Sequence, residues 1–241
     1  MTDNTGVTYN YITDYYGYVF IFDVDWFYLG YAYELPSPLF YCIGLNSTKS
    51  LYLTSSTGLY QFDQDFNQIK SYKKHDSLWQ LYFNSGFIYV TSTDDNGIFV
   101  FTTSLELHHV ISLSSNQYSS AIAGIGNQMY VGVYDIKSAK NNISVYVNDV
   151  IVNSWKACGD AENTQIRSLI VDKNGYMLYS CDIYDDDGTL SGTKVFFDVL
   201  DNAGKYVTYK YFDWNAEIFG MYYDIKSRQV TVSRNKVTIW A

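Results

Sequence analysis

The chain has few prolines, cysteines and histidines for its 241 residues. Its two prolines, Pro36 and Pro38, leave the rest of the sequence free of residues that interrupt β-strands. Its three cysteines, Cys42, Cys158 and Cys181, form an odd, sparse set without Cys-x-x-Cys spacing. This set argues against a disulfide framework and against a zinc site. We expect buried free thiols, with a single bridge as the alternative.

Catalytic patterns are also absent. His75 stands alone, and His108 and His109 are neighbours in a predicted strand, where adjacent side chains point to opposite faces. We therefore do not expect the pair to share a metal ion. A hydrolase triad needs a nucleophile, a base and an orienting acid, and the sequence has no nucleophile-elbow motif. No catalytic residue, metal ligand or cofactor site is predicted.

Positive charge is scarce, and the formal net charge is −9. The nearest approach to a basic patch is Lys73-Lys74-His75, which is too short for phosphate-backbone binding. Nucleic acid is therefore not an expected partner.

Two acidic segments have the composition of turns. Asp94-Asp95-Asn96-Gly97 favours a tight hairpin turn, because Asn and Gly tolerate positive φ. The longer stretch Asp182–Gly188 holds four aspartates, which suggests either a solvated hairpin loop or a cation site. The spacing of these aspartates does not match a known calcium loop, so we prefer the solvated loop and leave cation binding open.

Targeting and membrane signals are absent as well. The N-terminal residues MTDNTGVTYN lack the basic and apolar regions of a signal peptide. The apolar stretch at 26–45 is long enough for a membrane span but contains Glu34 and both prolines, so we interpret it as two strands. We expect no membrane insertion and a cytoplasmic or virion-associated protein.

What the sequence has in abundance is short β-strands rich in tyrosine, with 26 Tyr and 47% hydrophobic residues. Between residues 78 and 113, the runs LWQLYF, FIYVTST, GIFVFTT and LELHHVISL are separated by turn residues. β-branched and aromatic residues dominate these runs, as is typical of strands. The segment is predicted to be a four-stranded antiparallel meander.

The same plan recurs along the chain. The second strand of each unit begins its core at a position 32 to 53 residues after the previous one; these positions are Val19, Leu51, Ile88, Met129, Met177 and Val230. A period near forty residues with four strands per unit is the signature of a β-propeller. We therefore predict an all-β, single-domain propeller over residues 1–241. Its six blades, mainly four-stranded, are expected at about 7–35, 39–73, 78–114, 119–157, 165–212 and 216–241.

The two end units are irregular, because the first has room for only three strands and the last stops at its third. An alternative therefore has five blades. In that alternative, residues 7–12 complete the last blade and residues 18–35 form an extra N-terminal hairpin.

The repeat resembles the YVTN-type and related β-propeller repeats. The residues that carry the resemblance are IYVTS at 88–92 followed by GIFVF at 97–101, and LYLT at 51–54 followed by GLYQF at 58–62. The resemblance implies a rigid scaffold that presents loops to a partner. The Tyr-rich composition without a family motif is also weakly similar to propeller proteins of archaeal viruses.

Function follows less directly from these patterns. The predicted first strands of the blades are mostly apolar, and only Asp172 and Asp224 lie near their ends, which argues against a catalytic channel. Tyr15, Tyr16, Trp26 and Tyr28 fall at predicted loops or edges, where burial is not needed for folding. Such residues dominate interface anchors and sugar-stacking platforms, so we predict that they bind a protein or glycan partner.

The preferred function is thus a non-catalytic interaction module, in its concrete form a viral structural or attachment component. The alternative is a propeller enzyme of the glycoside hydrolase or lactonase type that uses Asp residues at the channel mouth. A third hypothesis is an assembly subunit that forms homo- or hetero-oligomers through its terminal blade edges.

Overall fold

The computed structural model describes residues 10–13, 18–23, 25, 27–34, 40–45, 50–63, 65–159, 163–171, 175–200, 206–214, 220–224, 229–233 and 237–240. All 22 regular elements in these ranges are β-strands, which form antiparallel sheets of consecutive strands. The all-β prediction is confirmed.

Four sheets have four strands each, and every strand pairs with its neighbours in the sequence. The first contains β4 (Phe40–Leu45), β5 (Leu51–Ser55), β6 (Gly58–Phe62) and β7 (Gln68–Tyr72). The second contains β8 (Leu78–Asn84), β9 (Phe87–Ser92), β10 (Gly97–Thr102) and β11 (Leu107–Ser112). The third contains β12 (Gln117–Ile125), β13 (Gln128–Asp135), β14 (Lys140–Val147) and β15 (Val150–Lys156). The fourth contains β16 (Thr164–Val171), β17 (Tyr176–Tyr184), β18 (Leu190–Leu200) and β19 (Tyr206–Trp214).

Two sheets have three strands. One contains β1 (Asn10–Thr13), β2 (Tyr18–Phe22) and β3 (Tyr28–Glu34), and the other β20 (Gly220–Asp224), β21 (Gln229–Ser233) and β22 (Val237–Trp240). The structure therefore shows four complete blades rather than the predicted six. The reason is local, because the described residues at either end supply only three strands to their sheet. The five-blade alternative is also not what the pairing shows, because β1 pairs with β2, with Ile12 opposite Phe20.

The chain divides into two compact units. The first comprises residues 1–94 and 99–110, and the second residues 95–98 and 111–241. The prediction of one domain over 1–241 stays a prediction.

The core of the first unit is built from the strands in the middle of its sheets. All five residues of β5 are buried, and Leu53 and Phe62 are fully so. Residues Tyr52, Ile88 and Phe101 belong to a second apolar cluster with Leu78 and Val90. Consecutive residues of these strands are buried, so both faces of each strand are covered. This explains why their sequences are continuous apolar runs and do not alternate between apolar and polar residues.

The core of the second unit contains a disulfide, between Cys158 and Cys181. The expectation of three free thiols is therefore wrong for these two residues, whereas Cys42 is free. Sequence spacing could not reveal the pair, because antiparallel folding brings together positions 23 residues apart. Close packing is also visible at Gly132, where a Cβ would lie 3.1 Å from the Ile166 side chain.

No helix in the described part of the chain is long and apolar enough to cross a membrane. The apolar stretch at 26–45 contributes β3 and β4, as the sequence predicts. The prolines between these strands lie outside the described residues.

The first strand of each four-stranded sheet is interrupted by a register shift near its beginning. The shifts fall between Phe40 and Cys42, Leu78 and Leu81, Ser119 and Ala121, and Ile166 and Ser168. A bulge of this kind redirects the side chain of the unpaired residue. In the fourth sheet that residue is Arg167.

Candidate functional site

A cleft of about 290 Å³ opens in the second unit. Three tyrosines and several polar residues line it, namely Tyr118, Tyr134, Asn163, Thr164, Gln165, Tyr184, Asp185, Asp186 and Gly188. Concave sites with aromatic walls and a few polar groups are the usual form of binding sites. We define this set as the tyrosine cleft.

Strand pairing in the third sheet (β12 with β13) and in the fourth sheet (β16 with β17) brings these residues to the same edge. Tyr118 is opposite Tyr134, near the beginning of β12 and the end of β13, and their rings are 5.2 Å apart. Thr164 begins β16 opposite Ile183, so Tyr184 ends β17 at the same edge. Because β12 and β16 lie side by side, both pairs contribute to one cleft.

A buried asparagine from the third sheet fixes the beginning of β16. The Asn141 amide donates to the Thr164 carbonyl (2.5 Å) and hydroxyl (2.8 Å), and its oxygen accepts from the Ile166 amide (3.4 Å). The neighbouring Asn163 carbonyl accepts a bond from the Tyr184 backbone amide (2.9 Å). These bonds make one wall of the cleft a fixed part of the sheet.

The rim of the cleft includes the turn that joins β17 and β18. The amide of Asp185 donates to the Thr189 carbonyl (2.8 Å), and the amide of Gly188 donates to the Asp185 carbonyl (2.9 Å). The Asp187 carboxylate accepts the Thr189 amide (2.9 Å), which lowers the pKa of Asp187. The side chains of Asp185 and Asp186 remain exposed at the cleft.

A buried ion pair formed by the bulge residue Arg167 contacts Tyr184 in the wall of the cleft. Arg167 Nε donates to the Asp182 carboxylate (2.5 Å), and its Nη2 donates to the Tyr184 hydroxyl (2.6 Å). Asp182 is fully buried and also accepts the Thr193 hydroxyl (2.7 Å). Burial raises the pKa of Asp182, and Arg167 and Thr193 offset part of that rise. The pair holds Tyr184 in position at the wall of the cleft.

A second buried carboxyl lies in β18. Asp198 is fully buried, and its oxygens accept no hydrogen bond of standard geometry among the described residues. Burial raises the pKa of Asp198 to about 7, and the nearby Tyr179 and Trp155 lower it only in part. Asp198 does not line the cleft.

Of the four predicted contact residues, the structure describes the side chain of Tyr28, which does not line the cleft. Tyr28 is 56% exposed, beside Phe27 and Leu29, which are 69% and 55% exposed. Tyr15, Tyr16 and Trp26 lie outside the described residues, so their role stays a prediction. The same holds for Asp172, and for Asp224 the structure describes only the backbone, at the end of β20.

Two expectations about charged and metal-ligating groups need correction. The Asp182–Gly188 stretch is not one solvated loop, because Asp182 belongs to β17 and is buried in its ion pair.

The side chains of His108 and His109 do not point away from each other, because their Nδ1 atoms lie 2.7 Å apart. Rotation about the side-chain bonds brings the rings together although their Cβ atoms are on opposite faces. Within the described ranges, no group of three or more His, Cys, Asp or Glu residues could hold a metal ion.

Most of the cleft was not foreseen from the sequence. The alternation of apolar and polar residues in a strand does not mark a binding residue. It therefore gives no special place to the cleft residues Tyr118, Tyr134 and Gln165, or to Arg167 beside them. The acidic segment 182–188 is the part of the cleft that the sequence marks as a candidate, with a solvated loop preferred and cation binding as the alternative.

No protein-family model and no curated protein matches the sequence. Solved structures do match, and their likeness covers nearly the whole chain. Hydrazine synthase of Kuenenia stuttgartiensis has a TM-score of 0.71 at 14% identity, over 99% of this chain and 74% of that one. Virginiamycin B lyase from Staphylococcus aureus has a TM-score of 0.64 at 14% identity, over 97% and 90%. The WD40 β-propeller domain of Doa1 has a TM-score of 0.62 at 13% identity, over 97% and 89%.

The fold is that of a β-propeller. The predicted resemblance to propeller repeats is confirmed at this level, whereas nothing supports the similarity to proteins of archaeal viruses. At these identities the likeness concerns the fold alone. The neighbours include a lyase and a WD40 domain, so the fold is compatible with either catalysis or binding.

Proposed function

We propose that this chain is a non-catalytic interaction module that binds a protein or glycan partner in the tyrosine cleft. The observation that carries the proposal is the concave site itself. Three tyrosines surround polar side chains there, at the edge of two sheets that lie side by side. Tyrosine offers a large, stiff contact area with a polar end, which is why it recurs as an anchor at interfaces and in sugar sites.

The position of the carboxyl groups favours binding over catalysis. Glycoside hydrolases place an acid and a base or nucleophile on either side of the scissile bond. Here the two aspartates with raised pKa, Asp182 and Asp198, are buried and do not line the cleft. The two that line it, Asp185 and Asp186, are adjacent in one turn. A hydrolase or lactonase remains the alternative function.

The proposal extends to the surface predicted from the sequence. Phe27, Tyr28 and Leu29 are exposed apolar residues at the beginning of β3. We propose that Tyr28, and with it the predicted Tyr15, Tyr16 and Trp26, contacts the partner as well. We further propose that the two three-stranded sheets are blades of a six-bladed propeller. Oligomerisation through their edges and a viral structural role are predictions of the same kind.

The proposal is tested with a glycan microarray and a displayed peptide library, both screened with the full chain. Ligands that bind are measured by calorimetry against Tyr118→Ala, with Tyr176→Ala as the matched control, because Tyr176 is an exposed tyrosine of β17 outside the cleft. We expect Tyr118→Ala to weaken binding about tenfold or more, the usual effect of removing an aromatic anchor, and Tyr176→Ala to leave it unchanged. Ligands that both variants bind equally well, or that the protein converts to a product, would overturn the proposal.

A further inference from the structure

The described residues that line the tyrosine cleft carry negative charge and no positive charge. Asp185 and Asp186 are exposed on its rim, and no Lys or Arg is among the described residues that line it. Arg167, whose guanidinium contacts the cleft residue Tyr184, is already held by Asp182 and by the Tyr184 hydroxyl. A ligand therefore meets carboxylates that have no cationic partner within the wall.

Two neighbouring aspartates add to this field. Asp135 follows Tyr134 and accepts hydrogen bonds from the Ser138 amide (3.0 Å) and the Gln117 side chain (3.2 Å). These bonds hold the pKa of Asp135 below its usual value, as the Thr189 amide does for Asp187. Both groups thus stay ionised at neutral pH, next in sequence to the cleft residues Tyr134 and Asp186.

Aromatic faces beside carboxylates select for cations. A guanidinium or ammonium group is attracted to the face of a tyrosine ring, and it forms charge-assisted hydrogen bonds with carboxylates. Guanidinium suits this arrangement better, because it is planar, stacks on rings and donates several hydrogen bonds at once. A neutral sugar would stack on Tyr118 and Tyr134 equally well but would leave the carboxylates without a charged partner.

We propose that the tyrosine cleft binds the side chain of an arginine presented by a protein partner. The guanidinium lies against the Tyr118 and Tyr134 rings and donates to Asp185 and Asp186, while Gln165 and Asn163 contact the adjoining peptide. This inference rests on the proposed function and narrows it from a protein or glycan to a basic protein segment.

The test uses a blocked amino acid as the probe, Nα-acetyl-arginine methylamide, titrated into the ¹⁵N-labelled full chain and followed by amide chemical shifts. The citrulline analogue has the same shape without the charge and is the matched probe. Maltotriose represents a neutral sugar. Asp185→Asn/Asp186→Asn is the variant, and Asp94→Asn/Asp95→Asn, in the acidic turn of the second sheet, is its control.

We expect saturable shifts at residues 184–189 and at Tyr118 with the arginine probe, and binding at least about tenfold weaker with citrulline. The affinity should fall between low and physiological salt, because the contact is electrostatic at an exposed rim. The double variant at the cleft should lose about tenfold in affinity, and the control variant should keep that of the wild type.

Equal binding of the citrulline and arginine probes, or an unchanged affinity of the Asp185→Asn/Asp186→Asn variant, would overturn the inference. Binding of maltotriose at the same amides without binding of the arginine probe would overturn the inference and leave the proposed function standing. An absence of shifts at the cleft with every probe would count against both.

Discussion

The hairpins β9–β10 and β17–β18 have similar sequences at their tips but differ in what they bury. Both carry aspartates followed by glycine where the chain reverses. In β9–β10 the buried polar groups are the hydroxyls of Thr91 and Ser92, and no charged side chain is buried. In β17–β18 two carboxyl groups, Asp182 and Asp198, are fully buried, and Cys181 forms a disulfide.

The turns at the tips of the two hairpins also differ, in their hydrogen bonds and in the exposure of their aspartates. The short turn is tied back to the fold, because the Asn96 side chain donates to the Gln117 carbonyl (2.6 Å). The longer turn at 185–189 closes on itself and leaves Asp185 and Asp186 exposed at the cleft. The tip of one hairpin is therefore hydrogen-bonded to a neighbouring strand, whereas the other hairpin has buried carboxyl groups and exposed aspartates at the cleft.

The largest effect should come from breaking the buried ion pair. Asp182→Ala leaves Arg167, whose side chain is only 16% exposed, without its carboxylate. Removing one partner of a buried pair costs about 3–5 kcal/mol of unfolding free energy. The matched variant Asp94→Ala, at an exposed aspartate of the other hairpin, should cost less than about 0.5 kcal/mol. Urea unfolding of both variants measures the difference, and equal costs would contradict the structural distinction.

The pH dependence should reveal Asp198. In the unfolded chain its carboxyl ionises near pH 3.8, whereas in the folded protein burial keeps it protonated up to about pH 7. Its contribution to stability is therefore complete below about pH 4 and is lost as the pH rises to about 7. The integrated loss is on the order of 4 kcal/mol.

Unfolding free energies of the wild type and of Asp198→Asn between pH 4 and pH 8.5 test this prediction. Asparagine cannot ionise, so the variant should gain stability relative to the wild type as the pH rises. A difference between the two proteins that does not change with pH would show that Asp198 titrates normally.

The disulfide should account for the next effect. Its cysteines are 23 residues apart, and the bond restricts the unfolded chain. Reduction should lower the unfolding free energy by about 3 kcal/mol, which is measured by thermal unfolding with and without a reductant. The Cys158→Ala/Cys181→Ala variant is the control and should not respond to the reductant. An unchanged wild-type midpoint after complete reduction would contradict the prediction.

The smallest effects should distinguish the two tips. Asn96→Ala removes the hydrogen bond to Gln117 and should cost about 1 kcal/mol of unfolding free energy. Asp186→Asn should cost less than about 0.5 kcal/mol, because its side chain is exposed and has only a 3.5 Å contact with Asn163. Chemical denaturation resolves these values, and a larger cost for Asp186→Asn would assign its turn a structural role.

Much of the strand pattern could be predicted because each strand depends on local composition. The four four-stranded sheets span residues 40–72, 78–112, 117–156 and 164–214, where the sequence has its runs of β-branched and aromatic residues. The two end sheets could not be settled in this way, because a strand pattern does not say which sheet a terminal strand joins. Tyr28 is the first residue of β3 and is 56% exposed, and its binding role stays a prediction.

The cleft could be predicted far less well. Tyr118 and Tyr184 are 66 positions apart, and only the register of two sheets and their contact along β12 and β16 bring them to one site. Arg167 reaches Asp182 and Tyr184 from a bulge, and no residue type at the four bulges signals where the register shifts. The sequence likewise does not show which cysteines form the disulfide, because the pairing of Cys158 with Cys181 depends on the folded structure.

The sequence by itself determined the strands and their antiparallel order, because strand formation and turn chemistry act over a few residues. The tertiary structure decided which aspartates are buried, which cysteines are joined and where the tyrosines converge. Those properties depend on contacts between strands distant in sequence, where a shift of one residue moves a side chain to the other face.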